Sequence, residues 1–251
     1  MLLLADKSYA QHDYAYMCES GSGWSFGALI NGTFHSKITK LKTTILSEPY
    51  FLGYTDHEKP LSELTKQLGG GAFIHYKIPN SKFGIENEIT FSQAGGTYSF
   101  NNTDKDFNYD IAFRFQYVNF QSLVRYYPTI PINELGQRNG FFYVGLGPSF
   151  GVNVSQERIF YTSAGSGKLP EFGEDATTQQ QLRNVLKGQN TFGLSAEVGF
   201  MIPSLRADIS LRGHYSFTDA IETIDNPYNF IEAKNRLTYF QVSYKFTFSD
   251  N

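Results

Sequence analysis

Along most of this chain every second residue is apolar, and the apolar face carries no charge. Residues 238–248, TYFQVSYKFTF, show it most plainly. Phe240, Val242, Tyr244, Phe246 and Phe248 share one face, and Gln241, Ser243, Lys245 and Thr247 share the other. A side-chain period of two belongs to strands; a helix would scatter these residues around its axis. Eight segments keep this period and are predicted to be strands: 23–35, 66–78, 82–93, 107–127, 141–154, 191–202, 205–217 and 238–248. In the fourth, the apolar phase runs through Tyr109, Ile111, Phe113, Phe115 and Tyr117, then slips by one to Phe120, Val124 and Tyr126. Such a slip predicts a β-bulge.

Connection lengths constrain how the strands meet. Residues 79–81 and 203–204 make short turns and 129–139 a moderate one. The connections 36–65, 94–106, 155–190 and 218–235 are longer. Short on one side and long on the other is the signature of an even-numbered up-and-down barrel, with short turns in the periplasm and long loops outside. The expected fold is all-β: an eight-stranded antiparallel up-and-down transmembrane β-barrel over residues 22–248. Residues 1–21 are read as a residual export signal and N-terminal segment, because Ser8 and Ala10 stand at −3 and −1 before Gln11 as at a signal-peptidase site. Residues 249–251 are a C-terminal tail.

The polar faces hold the charges. The acids are Glu86, Glu88, Asp110, Glu197 and Asp208; the bases are Lys77, Arg114, Arg125, Arg206, Arg212 and Lys245, with His214 beside them. A near-balanced set pairs across a narrow lumen, and these twelve residues are the expected lumen network, since an unpaired ion in a dry interior costs several kcal/mol. A soluble lipocalin-like binder would show the same alternation turned inside out. Three features oppose it. The polar faces are rich in glycine (Gly27, Gly69, Gly71, Gly145, Gly147, Gly151, Gly193, Gly199), which suits a cramped interior. The chain's 23 Phe and 17 Tyr are too many for one small lumen. Aromatics also gather near strand ends (Trp24, Tyr76, Tyr126, Tyr127, Tyr215), as in membrane-interface girdles. The apolar faces, including Phe240, Val242, Tyr244, Phe246 and Phe248, are therefore expected to meet lipid.

Other classes are excluded more simply. A net charge of −3 gives no nucleic-acid footprint. One cysteine, Cys18, permits no disulfide within the chain, and the five histidines show no zinc spacing, so no metal or cofactor is expected. No stretch approaches the roughly 20 apolar residues of a membrane helix.

FFYVGLGPSFGVNV after YVNFQSLVRYYP, followed by LRADISLRGHYSFTDAIETI and NRLTYFQVSYKFTF, resembles the small outer-membrane β-barrel family of Bacteroidetes-type bacteria, the PorT-like or outer-membrane-protein β-barrel family. The resemblance covers most of residues 23–248. Many relatives place a proline in the middle of the fourth strand, where this chain has Gln121 and Ser122. The end of the chain also resembles the C-terminal insertion signal of such barrels, carried by Phe240, Val242, Tyr244, Phe246 and Phe248; that signal usually ends on the last residue, and here three residues follow. The family resemblance implies an outer-membrane location and no catalytic residues. One branch serves the type IX protein secretion machinery, and others are called porins.

Candidate functions follow. The leading one is non-enzymatic: a structural or interaction role in a secretion or envelope assembly, with protein partners met through the loops or the 128–139 periplasmic turn. Outer-membrane lipid and lipopolysaccharide are expected surroundings, with Lys37, Lys40 and Lys42 near the outer rim. A narrow small-solute pore is the second, against a lumen plugged by its own salt bridges. The third is a lipid A-modifying hydrolase. His214 and Ser216 form an H-x-S pair like that of outer-membrane deacylases, with Glu222 or Glu232 to orient the histidine. Against it, Phe217 stands where that pattern wants asparagine, and the strand phase points both residues into the lumen. In the third long loop, Asp175 or Thr177 caps a predicted short helix with Leu182, Val185 and Leu186 on one side and Gly188 at its end. SAGSGK at residues 163–168 mimics a phosphate loop without its flanking strand and helix.

Overall fold

A computed structural model describes residues 23–39, 42–43, 54–59, 67–78, 81–102, 107–128, 141–165, 175–202, 205–223, 230–231 and 235–248. The expected export signal, Cys18, Lys40, Glu232, the C-terminal tail and nearly all of the 128–139 turn lie outside the described residues.

Eight strands build the wall: β1 Gly23–Thr39, β2 Leu68–Lys77, β3 Phe83–Asn102, β4 Phe107–Tyr126, β5 Phe141–Asn153, β6 Thr191–Ile202, β7 Ala207–Asp219 and β8 Arg236–Phe248. Each pairs antiparallel with its neighbours in sequence, and β8 pairs with β1 to close the ring. From Gly23 the register runs through Lys77, Gly84, Arg125, Gly145, Glu197, Arg212 and Gln241 and returns to β1 at Thr33, ten residues further on. That stagger tilts the strands, and eight strands leave an interior just wide enough for side chains to fill.

The outward face is an apolar belt. On β8, Phe240, Val242, Tyr244, Phe246 and Phe248 are each 40–46% exposed. Trp24, Ile30, Leu146, Phe150, Ile209 and Tyr215 continue the belt around the ring. Water does not tolerate a continuous apolar surface of this kind, whereas lipid requires it. The fold is a transmembrane β-barrel. Near the end of the barrel that carries the short turns, Trp24 packs on Tyr76 and Phe83 on Tyr126, ring centroids 4.6 and 5.2 Å apart. Tyr127 departs from the expected girdle: it is buried in the lumen, with its hydroxyl 3.0 Å from His75 Nε2.

The expected bulge in β4 is absent. Its register with β3 runs one to one from Phe107 to Tyr126 without a shift. Tyr109, Ile111, Phe113, Phe115 and Tyr117 all face inward and are buried, while Phe120 and Val124 face outward and are exposed. The apolar phase slips because the surroundings change, not because the backbone does. Beyond the belt β3 and β4 stand clear of lipid, and there the apolar face turns in and the polar face turns out. Two further strands widen this part: Tyr54–Lys59 pairs with the end of β3, and Ile159–Gly165 with the start of β4. The inward side chains at this level enclose a core that includes Ile38, Tyr98, Ile111, Phe113, Phe115, Ile159 and Leu237. The predicted helix forms at Asp175–Val185 and closes this core with Leu182, followed by Leu186. Gly188 ends a short strand, Leu186–Gly188, paired with Ile221–Thr223. A register shift does occur in β1, between Thr33 and His35; past it Ser36 and Ile38 turn inward towards this cap.

Candidate functional site

At mid-height the lumen is filled by charge. Glu86 and Glu88 project from β3, Arg125 from β4, Glu197 from β6, Asp208 and Arg212 from β7, and Lys245 from β8. The alternation of these strands places every one of them on the inward face. Arg125 reaches Glu86 at 2.6 Å, Glu197 at 2.8 Å and Asp208 at 3.2 Å. Arg212 grips Glu88 with both terminal nitrogens, at 2.6 and 2.8 Å, and also binds Glu197 and the Gln121 amide oxygen, the latter at 2.7 Å. The Lys245 ammonium lies 2.6 Å from both Glu86 and Glu88 and 3.2 Å from Glu197.

Three bases thus serve four acids, all at most 4% exposed. Bidentate and charge-assisted contacts are the strong form of such pairs. The carboxylates of Glu86, Glu88 and Glu197 lie close enough to hold a metal ion, but the Lys245 ammonium already bridges all three. Towards the short turns, the Arg125 guanidinium stacks 4.0 Å from the centre of the Tyr143 ring and donates to its hydroxyl at 3.1 Å. The Tyr143 ring lies where a Cβ on Gly199 would be, so a glycine on β6 makes room for a tyrosine on β5.

The remaining members of the expected network sit elsewhere. Lys77 faces inward but turns away from the cluster, donating to the carbonyls of Ser81 and Ile78 and lying over Tyr127. Asp110 and Arg114 lie on the outward face of β4, beyond the belt, where the apolar phase has inverted. Asp110 accepts a bond from Ser99, its register partner, and Arg114 lies 5.5 Å from the Phe160 ring. Arg206 occupies the turn before β7 with φ of 51°, and its carbonyl accepts from the Thr247 amide. These three are corrections to the lumen set: two fall beyond the membrane level, and one belongs to a turn.

His214 is inward and buried, but its partner is not Ser216. Its Nδ1 faces Ser149 Oγ at 2.8 Å and Ser195 Oγ at 3.2 Å, and its ring stacks on Tyr239 at 4.5 Å. Ser216 instead donates to the Thr218 carbonyl and accepts from the Leu237 amide. Glu222 is exposed and takes a bond from Gln189. A nucleophile needs its hydroxyl bonded to the base and open to substrate; Ser216 is not bonded to His214, and Ser149 and Ser195, which are, lie buried in the lumen.

Sequence reasoning missed a groove beside the cap, about 580 Å³ and lined by Ser155, Glu157, Arg158, Phe160 and Arg183 among others. Arg114 and Arg183 both place their guanidinium groups over the Phe160 ring, at 5.5 and 5.6 Å. The three arginines come from β4, from the Ile159–Gly165 approach and from the helix, so no local motif announced them. Only the inversion of phase in β4, which turns Arg114 outward, could have done so.

No protein-family model matches this chain, and no curated protein matches it. Among solved structures it is similar to Neisserial surface protein A, with 11% sequence identity, coverage of 90% of this chain and 99% of that one, and a TM-score of 0.39. It is also similar to Ail, the attachment invasion locus protein of Yersinia pestis, solved in complex with the heparin analogue sucrose octasulfate. That likeness has 14% identity, covers 89% of this chain and 99% of that one, and has a TM-score of 0.32. At such low scores the ring and its belt, not these likenesses, carry the assignment of the fold.

Proposed function

We propose that this barrel is a non-enzymatic protein of the outer membrane of a Gram-negative bacterium, and that its work is interaction at the surface rather than conduction or hydrolysis. The observation that carries this reading is the division of the molecule. At membrane level the lumen is filled by paired charge, and beyond it the chain folds a second, aromatic core under a helix. A pore needs an open lumen, and a lipid hydrolase needs a hydroxyl presented to acyl chains. Building a covered cap on a plugged barrel instead produces a rigid surface outside the membrane. A role in an envelope assembly, including a secretion assembly of the type IX kind, is the finer form of this proposal and rests on the family resemblance.

The groove supplies a chemistry for the surroundings. Arg114, Arg158 and Arg183 stand just past the lipid belt on the side of the long loops, where the phosphates of lipopolysaccharide lie in an outer leaflet. Arginine suits phosphate because its planar fork binds two oxygens at once.

The test has two arms. In planar bilayers the protein should show no steady conductance; an open-channel current would overturn the plug. A mild-detergent pull-down from the native outer membrane should bring a stoichiometric protein partner, and its loss on deletion of residues 166–190 would assign the contact to the cap. A barrel that comes down alone would overturn the assembly reading.

A further inference from the structure

We propose that a phosphate monoester bound among Arg114, Arg158 and Arg183 staples the helix of the cap to the barrel wall. The inference deepens the reading of the groove beside the cap and rests on it: the apolar belt meets lipid, and the groove opens just outside. The three arginines come from three separate elements. Arg114 stands on β4, Arg158 ends the turn that leads into the Ile159–Gly165 strand, and Arg183 lies in the last turn of the helix. The fold brings them together. The Arg158 carbonyl accepts from the Arg114 amide at 2.9 Å, and the Arg114 and Arg183 guanidinium groups lie 5.5 and 5.6 Å from the centre of the same Phe160 ring.

Like charges gathered in this way repel one another. A protein normally sets a carboxylate against each, as the lumen of this barrel does. None of these three arginines makes an ion pair among the described residues. Glu157 is the one acid on the described lining of the groove, so the cations outnumber it. Arg183 is also held in position. Its Nε donates to the Ile159 carbonyl at 2.9 Å, which leaves both terminal nitrogens of the fork for a ligand. Ser155, on the same lining, accepts from the Gln116 amide at 2.6 Å and keeps its own proton to donate. The groove, about 580 Å³, falls within the range of small-molecule sites.

The ligand class follows from the charge and the number of donors. A phosphate monoester carries about −1.5 to −2 charge and three strong acceptor oxygens. It can therefore engage more than one arginine fork at once. A carboxylate brings a single charge and two oxygens. A glycolipid headgroup and a free phosphate offer the same chemistry, and Val154 favours the lipid. It lines the groove and is exposed on the outward row of the belt at the end of β5, so the groove begins where the belt stops. Because the arginines belong to the wall and the helix alike, a ligand that binds all three binds only the closed cap and stabilises it.

The experiment uses the full chain in phosphatidylcholine vesicles and reads amide exchange in the helix, Asp175–Val185. Vesicles containing bis-phosphorylated lipid A should slow that exchange about tenfold relative to vesicles containing dephosphorylated lipid A, as a ligand at about ten times its Kd does. Arg158→Gln should remove most of the difference. Lys82→Gln, the same loss of charge at the short-turn end of the barrel, should keep it. Inorganic phosphate, added to the dephosphorylated vesicles against chloride at equal ionic strength, separates the two sources. Protection equal to that from phosphorylated lipid A would support the site with free phosphate as its ligand; protection by the lipid alone would support it with the headgroup. No protection from either, while the barrel strands still exchange slowly, would overturn the staple and leave the membrane barrel standing. Rapid exchange in the barrel strands as well would mean that the membrane reading itself fails. Full protection in Arg158→Gln would put the phosphate elsewhere and overturn the site.

Discussion

Arg212 and Glu88 meet fork to fork across the lumen, from strands that stand four places apart in a ring of eight and so face one another directly. This strut ties opposite walls 124 residues apart in sequence. Arg212→Met would leave Glu88 with Lys245 alone, a lysine it shares with Glu86 and Glu197, while Glu197 keeps Arg125; the cost is about 3–5 kcal/mol for an uncompensated buried charge. Adding Glu88→Leu restores the balance of acids to bases and should recover most of that loss, since well-packed apolar pairs replace buried ion pairs at little cost. Urea unfolding of the vesicle-reconstituted protein measures both. An Arg212→Met variant as stable as the parent would mean that water reaches the cluster.

Gly199 and Gly145 make a second, internally controlled comparison. A Cβ on Gly199 would strike the Tyr143 ring, whereas one on Gly145 would lie in ordinary contact, 3.5 Å from Glu197 Cβ and 3.6 Å from Arg125 Cγ. Gly199→Ala should push Tyr143 off Arg125 and cost about 1–3 kcal/mol, the usual range for overpacking. Gly145→Ala should change stability by less than about 0.5 kcal/mol, as a substitution without a clash does. The same unfolding assay reads both, and equal effects would mean that Tyr143 does not lie over Gly199.

How much of this was legible beforehand depends on where each residue sits relative to the membrane. Within the belt the period of two is enough: Glu86, Glu88, Arg125, Glu197, Asp208, Arg212 and Lys245 were all placed inward by phase alone, and they meet. Beyond the belt the same rule assigned Asp110 and Arg114 to the wrong side, because it assumed that the apolar face always meets lipid. The second half of β3 and the Ile159–Gly165 strand were read as loop for a related reason. Residues 94–97 (AGGT) lack the bulky apolar residues that mark a strand facing lipid. Pairing of the charges across the ring was not legible at all, since it depends on a ten-residue stagger that only the closed register reveals.

The cap should yield separately from the barrel. Leu182 is fully buried in the core that the helix closes. Leu182→Ala removes that contact, and a loss of about 2–5 kcal/mol is usual for a buried leucine. The loss should appear as faster proteolysis within residues 175–190 and faster amide exchange in the helix. The barrel strands should keep their protection and their resistance to heat in detergent. Uniform destabilisation of barrel and cap together would show one cooperative unit instead.

The inversion along β4 fixes the level of the membrane surface, and charge tolerance can map it. Phe120 and Val124 face outward within the belt; Arg114 faces outward beyond it. On the lipid face of a barrel an introduced arginine costs about 2–4 kcal/mol at the midplane and about 0–1 near the interfaces. Val124→Arg and Phe120→Arg should therefore both impair insertion into vesicles. Arg114→Leu, by contrast, should leave insertion unchanged. Inward-facing Phe115→Arg should not block insertion but should disrupt the cap, because its ring packs against Phe113 and Tyr117 inside the aromatic core. Folding yield and unfolding free energy in vesicles separate these outcomes. If Phe115→Arg and Phe120→Arg impaired insertion alike, the slip in phase would be a bulge after all, with both residues facing lipid.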